Sequence, residues 1–185
     1  LYISNENGFL NDVFIGASVA IDGTCLTATS FDTIANIASF DVSALTTSLT
    51  TLQFLKIGDE VNIERSIKAG MENGGHNIFG HIVGMATIKD VVHTGETLHI
   101  DIVIPDDNIK YFFKKGFIGL QGCSLTVNRV DRKTNEISVD LIPETLRLTT
   151  FKYIQIGGKL NYEIDQMTRT MVDTLESIHQ RQQEN

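Results

Sequence analysis

Along most of the chain apolar and polar positions alternate in short runs. Ser18-Val19-Ala20-Ile21, Cys25-Leu26-Thr27-Ala28, Val61-Asn62-Ile63-Glu64, Leu98 to Val103 and Ile137 to Leu141 are rich in β-branched residues, with Gly, Asp or Asn between them. A period of two punctuated by turn residues predicts strands with one buried face. Helical spacing is scarce: Asp106 to Phe112 predicts one or two turns, with residues 7–13 as the counterpart in the first half. From Gln166 to Gln180, by contrast, Met167, Met171, Leu175 and Ile178 recur at spacings of 4, 4 and 3, with Val172 beside them. This is an amphipathic helix, and its stripe packs either on the adjoining barrel or against the same helix of other copies.

The pattern occurs twice. Residues 22–29 read DGTCLTAT and residues 121–128 read QGCSLTVN; at an offset of 99, fifteen of 42 ungapped positions between 23–64 and 122–163 are identical. Gly23/Gly122, Leu26/Leu125, Thr27/Thr126, Asp41/Asp140, Thr46/Thr145, Gly58/Gly157, Asn62/Asn161 and Glu64/Glu163 are among them. A period this long with two copies predicts duplicated units rather than a solenoid. Each half reads as a small antiparallel barrel of about six strands, because closure removes exposed sheet edges. The second-half segment 80–97 has no first-half counterpart, so the first barrel is expected to lack its first strand, and the natural chain to begin roughly 20 residues earlier.

Composition narrows the partners. With 42% apolar residues, two prolines and a net charge of −8, the chain has material for a real core and no basic concentration beyond short pairs such as Lys114-Lys115. Nucleic acid, which demands clustered Lys and Arg, is excluded as a partner. No apolar run reaches 18 residues and no signal-peptide layout is present, so the membrane is excluded too and a cytoplasmic location is expected. Cys25 and Cys123 have neither CxxC spacing nor equivalent places in the two halves, which predicts free thiols.

Candidate chemistry lies on the repeated strands and at their junction. Ser124 and Thr126 stand at i and i+2 and share a face, as do Cys25 and Thr27, so each half offers a small polar pair, expected at the barrel mouth. Residues 74–81 read GGHNIFGH, with glycines that permit close backbone approach; its two histidines, five apart, fit neither helical nor strand spacing for a shared metal. His81 is a candidate proton carrier. Leu141 to Arg147 ends a strand in a turn carrying Glu144 and Arg147, where the first half has Leu45 and Ser48, so the halves are chemically unequal. Asp165 precedes the final helix, where it also reads as an N-cap. No Walker A, GxGxxG or Cys/His metal cluster is present.

Taken together, KGFIGLQGCSLTVNRV, LIPETLRLTT, GGHNIFGHIVG, NYEIDQMTRTMVDTLE, GASVAIDGTCLT and VNIERS resemble the riboflavin synthase alpha-chain family over essentially the whole chain. The resemblance implies an all-β fold with a C-terminal α-helix: two tandem six-stranded antiparallel Greek-key β-barrels, at 1–76 (its first strand missing) and 77–165, then a trimerisation helix and tail at 166–185. It implies dismutation of two 6,7-dimethyl-8-ribityllumazine molecules to riboflavin and 5-amino-6-ribitylaminouracil, without cofactor or metal, in sites between subunits of a homotrimer. Two similar ligands explain two similar pockets; one donor and one acceptor explain why they differ. Carried over by motif, the first pocket uses Ser18, Cys25, Leu26, Thr27, Asp41, Val42, Ser43, Ala44, Leu45 and Thr46. The second uses Gly80, His81, Ile82, Ser124, Leu125, Thr126, Asp140, Leu141, Ile142, Pro143, Glu144 and Thr145, and Lys115 and Asp165 match family residues near the ligands. His81, Ser124, Asp165, Cys25 and Ser18 are the catalytic candidates. A non-catalytic lumazine- or flavin-binding protein of the same fold is the alternative.

Overall fold

A computed structural model describes residues 1–4, 8–10 and 12–183. The turn expected over residues 7–13 therefore lies partly outside the described residues, as do the last two residues of the C-terminal tail. The alternating stretches are strands. In the first half, β1 (Tyr2–Ser4), β2 (Ser18–Ile21), β3 (Thr24–Asp32), β4 (Ile37–Phe40) and β5 (Ile63–Arg65) follow one another, with the short helix α1 (Ala44–Leu49) before β5. In the second, β6 (Gly84–Thr94), β7 (Thr97–Val103), β8 (Phe117–Leu120), β9 (Cys123–Asp131) and β10 (Glu136–Leu141) lead through α2 (Pro143–Leu148) to β11 (Lys159–Ile164). The helix α3 (Gln166–Gln183) ends the chain, and Asp106–Tyr111 is a 3-10 turn. The turn expected at 142–147 is a helical turn because Pro143 stands at its first position, where the missing N–H costs nothing.

The halves close differently. The second is a closed six-stranded barrel in the order β10-β7-β6-β11-β8-β9; the first is an open five-stranded sheet in the order β1-β4-β3-β2-β5. All pairings are antiparallel. Subtracting 99 maps β7 to β11 onto β1 to β5, and among the described residues only β6 is unmatched. In the second half β6 bridges β11 and β7. The equivalent slot between β5 and β1 is a groove of about 780 Å³, lined by Leu1 to Ser4 on one side and Leu55 to Ile63 on the other.

Inward residues build two apolar clusters, one around Leu10, Ile21 and Phe40, the other around Ile88, Ile100, Ile102, Phe112 and Tyr162. A pseudo-two-fold contact joins the halves. Asn62 Oδ1 accepts the Thr150 N–H at 2.8 Å and Asn161 Oδ1 accepts the Thr51 N–H at 2.7 Å. The two amides also donate, Asn161 Nδ2 to the Asp22 carbonyl at 2.9 Å and Asn62 Nδ2 to the Gln121 carbonyl at 3.3 Å. These asparagines recur at the repeat offset because each ties its own half to the other. At the centre Gly23 and Gly122, both with positive φ, lie back to back.

The helix α3 projects from the second barrel, tied to the 3-10 turn by Tyr111 Oη donating to Asp173 at 2.6 Å and by a Lys110–Glu176 ion pair. Its stripe of Met167, Met171, Leu175 and Ile178 does not pack on the barrel: all four are exposed, Met167 by 77%.

Candidate active site

Strand alternation sets which side chains the site can use. On β3 Leu26 is buried while Cys25 and Thr27 are exposed; on β9 Leu125 is buried, Ser124 is half-buried and Thr126 is exposed. The polar pairs therefore lie on the outer faces of the sheets rather than in a barrel mouth, and Leu26, Leu125 and Leu141 belong to the two cores. Cross-strand register brings Ser18 opposite Thr27, Ala20 opposite Cys25, and Gly119 opposite Ser124.

Segment 73–80 threads over these faces and completes a cavity of about 520 Å³. Ser18 and Cys25 come to it from the first half, Ser124 from the second, and His76, Phe79 and Gly80 from the connecting segment. Two glycines make that path possible. A Cβ on Gly80, whose φ is +77°, would stand 2.5 Å from Cys25 Cβ, and one on Gly75 would stand 2.6 Å from Ser124 Cβ and Oγ. The Gly80 carbonyl accepts the Cys25 N–H at 3.0 Å, fastening the segment to β3.

The other fastening is Glu163, a buried carboxylate on β11. Its Oε1 accepts the Phe79 N–H at 2.8 Å, and its Oε2 accepts the Gly80 and His81 N–H groups at 2.8 and 3.1 Å. Glu163→Gln sets an amide donor against backbone donors, and a loss of about 2–3 kcal/mol is expected for the unsatisfied buried groups. Hydrogen exchange at Phe79 to His81 checks this, since those amides lose protection first.

The expected site residues divide. Ser18, Cys25, Gly80 and Ser124 line the cavity together, and Thr27 is the cross-strand neighbour of Ser18. His81 is exposed, its ring stacked on Phe79 at 6.3 Å between centroids. Asp165 Oδ2 accepts the Thr168 N–H and Oγ1–H at 2.8 and 2.7 Å, capping α3. Lys115 and Thr126 are exposed outside the cavity lining, and Ile82 is half-buried. Asp41 and Val42 lead into α1, where Ser43 Oγ accepts the Thr46 N–H at 3.0 Å and Ala44 and Leu45 are exposed. In the matching stretch Asp140 Oδ1 meets His99 Nδ1 at 2.6 Å, and Glu144 takes Arg147 through two bonds of 2.8 and 2.7 Å. Ile142 and Pro143 are exposed and Thr145 is half-buried beside them. The structure does not bring segments 41–46 and 140–145 to the cavity that holds Ser124.

Sequence reasoning weighed His76 only as a metal ligand. Its Nδ1 lies 2.6 Å from Ser124 Oγ, its backbone N–H donates to the same oxygen at 3.0 Å, and its ring stacks on Phe117 at 5.0 Å and 13°. Burial pushes its pKa down, while the Asp165 and Glu163 carboxylates push it up more weakly. Cys123, behind the site, has its thiol pushed up to about 11 by burial and by Glu64 and Asp22, which leaves it protonated. No cluster of three potential metal ligands occurs among the described residues.

The chain matches the lumazine binding domain family over residues 4–66 and 79–165, the two halves of the repeat. It is 41% identical over 170 residues to the riboflavin synthase of Escherichia coli (strain K12), covering 91% of this chain and 78% of that protein. The chain belongs to the riboflavin synthase family. A second riboflavin synthase, from Chlamydia trachomatis serovar D, is 39% identical over 92% of this chain and 81% of its own length. Among solved structures, LumP complexed with riboflavin superposes with a TM-score of 0.78 at 25% identity, over 88% of this chain and 86% of that one. LumP complexed with 6,7-dimethyl-8-(1'-D-ribityl) lumazine gives 0.76 at 23% identity, which shows the shared fold.

Proposed function

We propose that this member of the riboflavin synthase family converts two molecules of 6,7-dimethyl-8-ribityllumazine to riboflavin and 5-amino-6-ribitylaminouracil. The observation that carries the reading is the cavity that draws Ser18 and Cys25 from one half and Ser124 from the other. At about 520 Å³ it lies within the usual range of roughly 300–1,000 Å³ for small-molecule sites. The reaction joins two copies of one substrate, so its demands are face-to-face placement and managed protons rather than an external electron carrier. A duplicated lumazine-binding unit with a thiol in one half and a hydroxyl in the other offers an unequal face to each of two substrates, which distinguishes donor from acceptor.

The finer architecture follows the same logic. Two tandem six-stranded Greek-key barrels at 1–76 and 77–165 require a sixth strand in the β5–β1 slot, the place β6 fills in the second half. The exposed stripe of α3 favours packing against the same helix in other copies, and a homotrimer then sets the first half of one chain against the second half of its neighbour. A cytoplasmic location goes with this reading.

Incubating the purified chain with 6,7-dimethyl-8-ribityllumazine and recording the growth of riboflavin absorbance tests the reading. Formation of riboflavin is expected. Saturable binding without conversion favours a lumazine carrier instead and would sink the enzymatic assignment.

A further inference from the structure

An amphipathic helix ordinarily turns its apolar side to the body it adjoins. The helix α3 does the reverse. At 3.6 residues per turn, Arg169, Asp173 and Glu176 fall on one side of it, and Met167, Met171, Leu175 and Ile178 lie about half a turn away. The barrel takes the polar side: from the 3-10 turn that follows β7, Tyr111 Oη donates to Asp173 at 2.6 Å and Lys110 Nζ donates to Glu176. Val172, between the two sides, is half-buried, whereas the four apolar residues are 47–77% exposed. No described residue of α3 is buried, so the helix is not held in place by a core of its own.

We propose that Lys110 and Tyr111 form a latch that fixes the direction in which α3 leaves the second barrel, and so aims its apolar stripe at the same stripe of other copies. The inference rests on the homo-oligomer reading. A helix free to swing would lay its stripe on its own barrel and remove it from water there. Held by its polar side, it keeps the stripe outward, and a surface aimed in advance loses less freedom when it binds. Spacings of 4, 4 and 3 suit the side-by-side packing of like helices, which makes a second copy the occupant. The charged residues are engaged on the far side, where Arg169 also meets Asp173 at 3.7 Å.

The latch is built to hold a direction. Asp165 Oδ2 caps the first turn of α3 through the Thr168 N–H, and Asp173 and Glu176 stand about 12–16 Å farther along the axis at 1.5 Å per residue. Two separated points fix a direction, where one leaves a pivot. The Tyr111 ring packs against the second core, so the barrel itself places the hydroxyl, and Lys110 Nζ stands 5.1 Å from that ring's centroid. Both bonds carry a charge, which makes them stronger than neutral ones. The bond to Asp173 pushes the Tyr111 pKa up, and the bond to Glu176 does the same for Lys110, so both donors keep their protons. Neither residue lines the cavity, so the latch acts on assembly and not on the ligand.

Two measurements on the full chain test the latch. In hydrogen exchange, run at concentrations below assembly, the amides of residues 170–178 are expected to exchange about tenfold faster in Tyr111→Phe, which deletes one oxygen and keeps the ring. Lys110→Glu, which sets like charges together, should act in the same direction, and Lys110→Glu combined with Glu176→Lys should return to the wild-type rate. Sedimentation equilibrium should give the same order, with each single variant associating about tenfold more weakly and the reversed pair as wild type. Met171→Asp, on the stripe, should abolish association and leave the exchange rates as they are. Wild-type exchange in both single variants, or wild-type association in variants whose helix exchanges faster, overturns the latch. If the wild type stays monomeric at every concentration, the homo-oligomer reading fails instead, and the exchange rates still decide whether the turn holds the helix.

Discussion

Gly23→Ala is expected to remove about 2–5 kcal/mol of stability, the sum of a left-handed backbone penalty and an overlap that cannot relax. Gly23 has φ +76°, and a Cβ there would lie 2.4 Å from the Gly122 nitrogen, 3.0 Å from its α-carbon and 3.1 Å from the Gln121 carbonyl carbon. All three atoms are backbone, so no rotamer change relieves the contact; the halves must separate. Separation also stretches the Asn62 and Asn161 bonds that cross the same interface. Gly58 is the control, with φ +95° and nothing within 4 Å of its Cβ position. Gly58→Ala carries the conformational penalty alone, about 1–2 kcal/mol. Urea unfolding of the two variants separates the terms, and equal losses would show that the close approach of the halves carries no weight.

Asp22→Asn is expected to stabilise the protein in a pH-dependent way. The Asp22 carboxylate is buried between the halves, accepts the Asn62 N–H at 2.8 Å, and has its pKa pushed up from 3.8 to about 6 by burial. A carboxyl whose pKa is higher folded than unfolded favours the fold most when protonated, below pH 3.8, and loses that advantage as pH rises through 6. The difference of about 2.2 pH units corresponds to about 3 kcal/mol lost between pH 4 and pH 7. Asparagine keeps the acceptor oxygen, tolerates the φ of 46° at this position and carries no charge. The other half already uses that solution: Gln121, at φ 47°, accepts the Asn161 N–H at 2.8 Å with a neutral amide. Midpoints in urea should coincide for wild type and variant near pH 4 and diverge towards pH 8, with the variant higher. A gap independent of pH would mean that Asp22 is not the titrating group.

Much of the fold was legible because its signals are local. Alternation placed strands at 18–21, 25–28, 98–103 and 137–141, and the observed β2, β3, β7 and β10 contain or match them. The 4, 4, 3 spacing placed α3. The offset of 99 revealed the duplicated strand order and the one strand without a twin, which the structure shows as a closed barrel beside an open sheet. Side-chain alternation also placed Cys25 with Thr27 and Ser124 with Thr126, although not on which side of the sheet the ligand face lies.

What escaped sequence reasoning depends on paths rather than periods. His76 is 48 residues from Ser124, in a segment without repeating pattern, and only the course of residues 73–80 over both sheets brings them together. Glu163 is one more repeated residue in the sequence, and only the fold sets its three backbone partners on that segment against it. Asn62 and Asn161 were visible as identities, yet their use as ties between halves requires the pseudo-two-fold axis. The sequence by itself determined the elements, the duplication, the polar strand faces and the family, because each is written in spacing or in contiguous motifs. Tertiary structure alone decided that Cys25 and Ser124 share a cavity, that His76 rather than His81 attends the serine, and that Asp22 is buried between the halves. Those outcomes follow from close packing at Gly23, Gly75, Gly80 and Gly122, where the absence of a side chain lets distant parts of the chain touch.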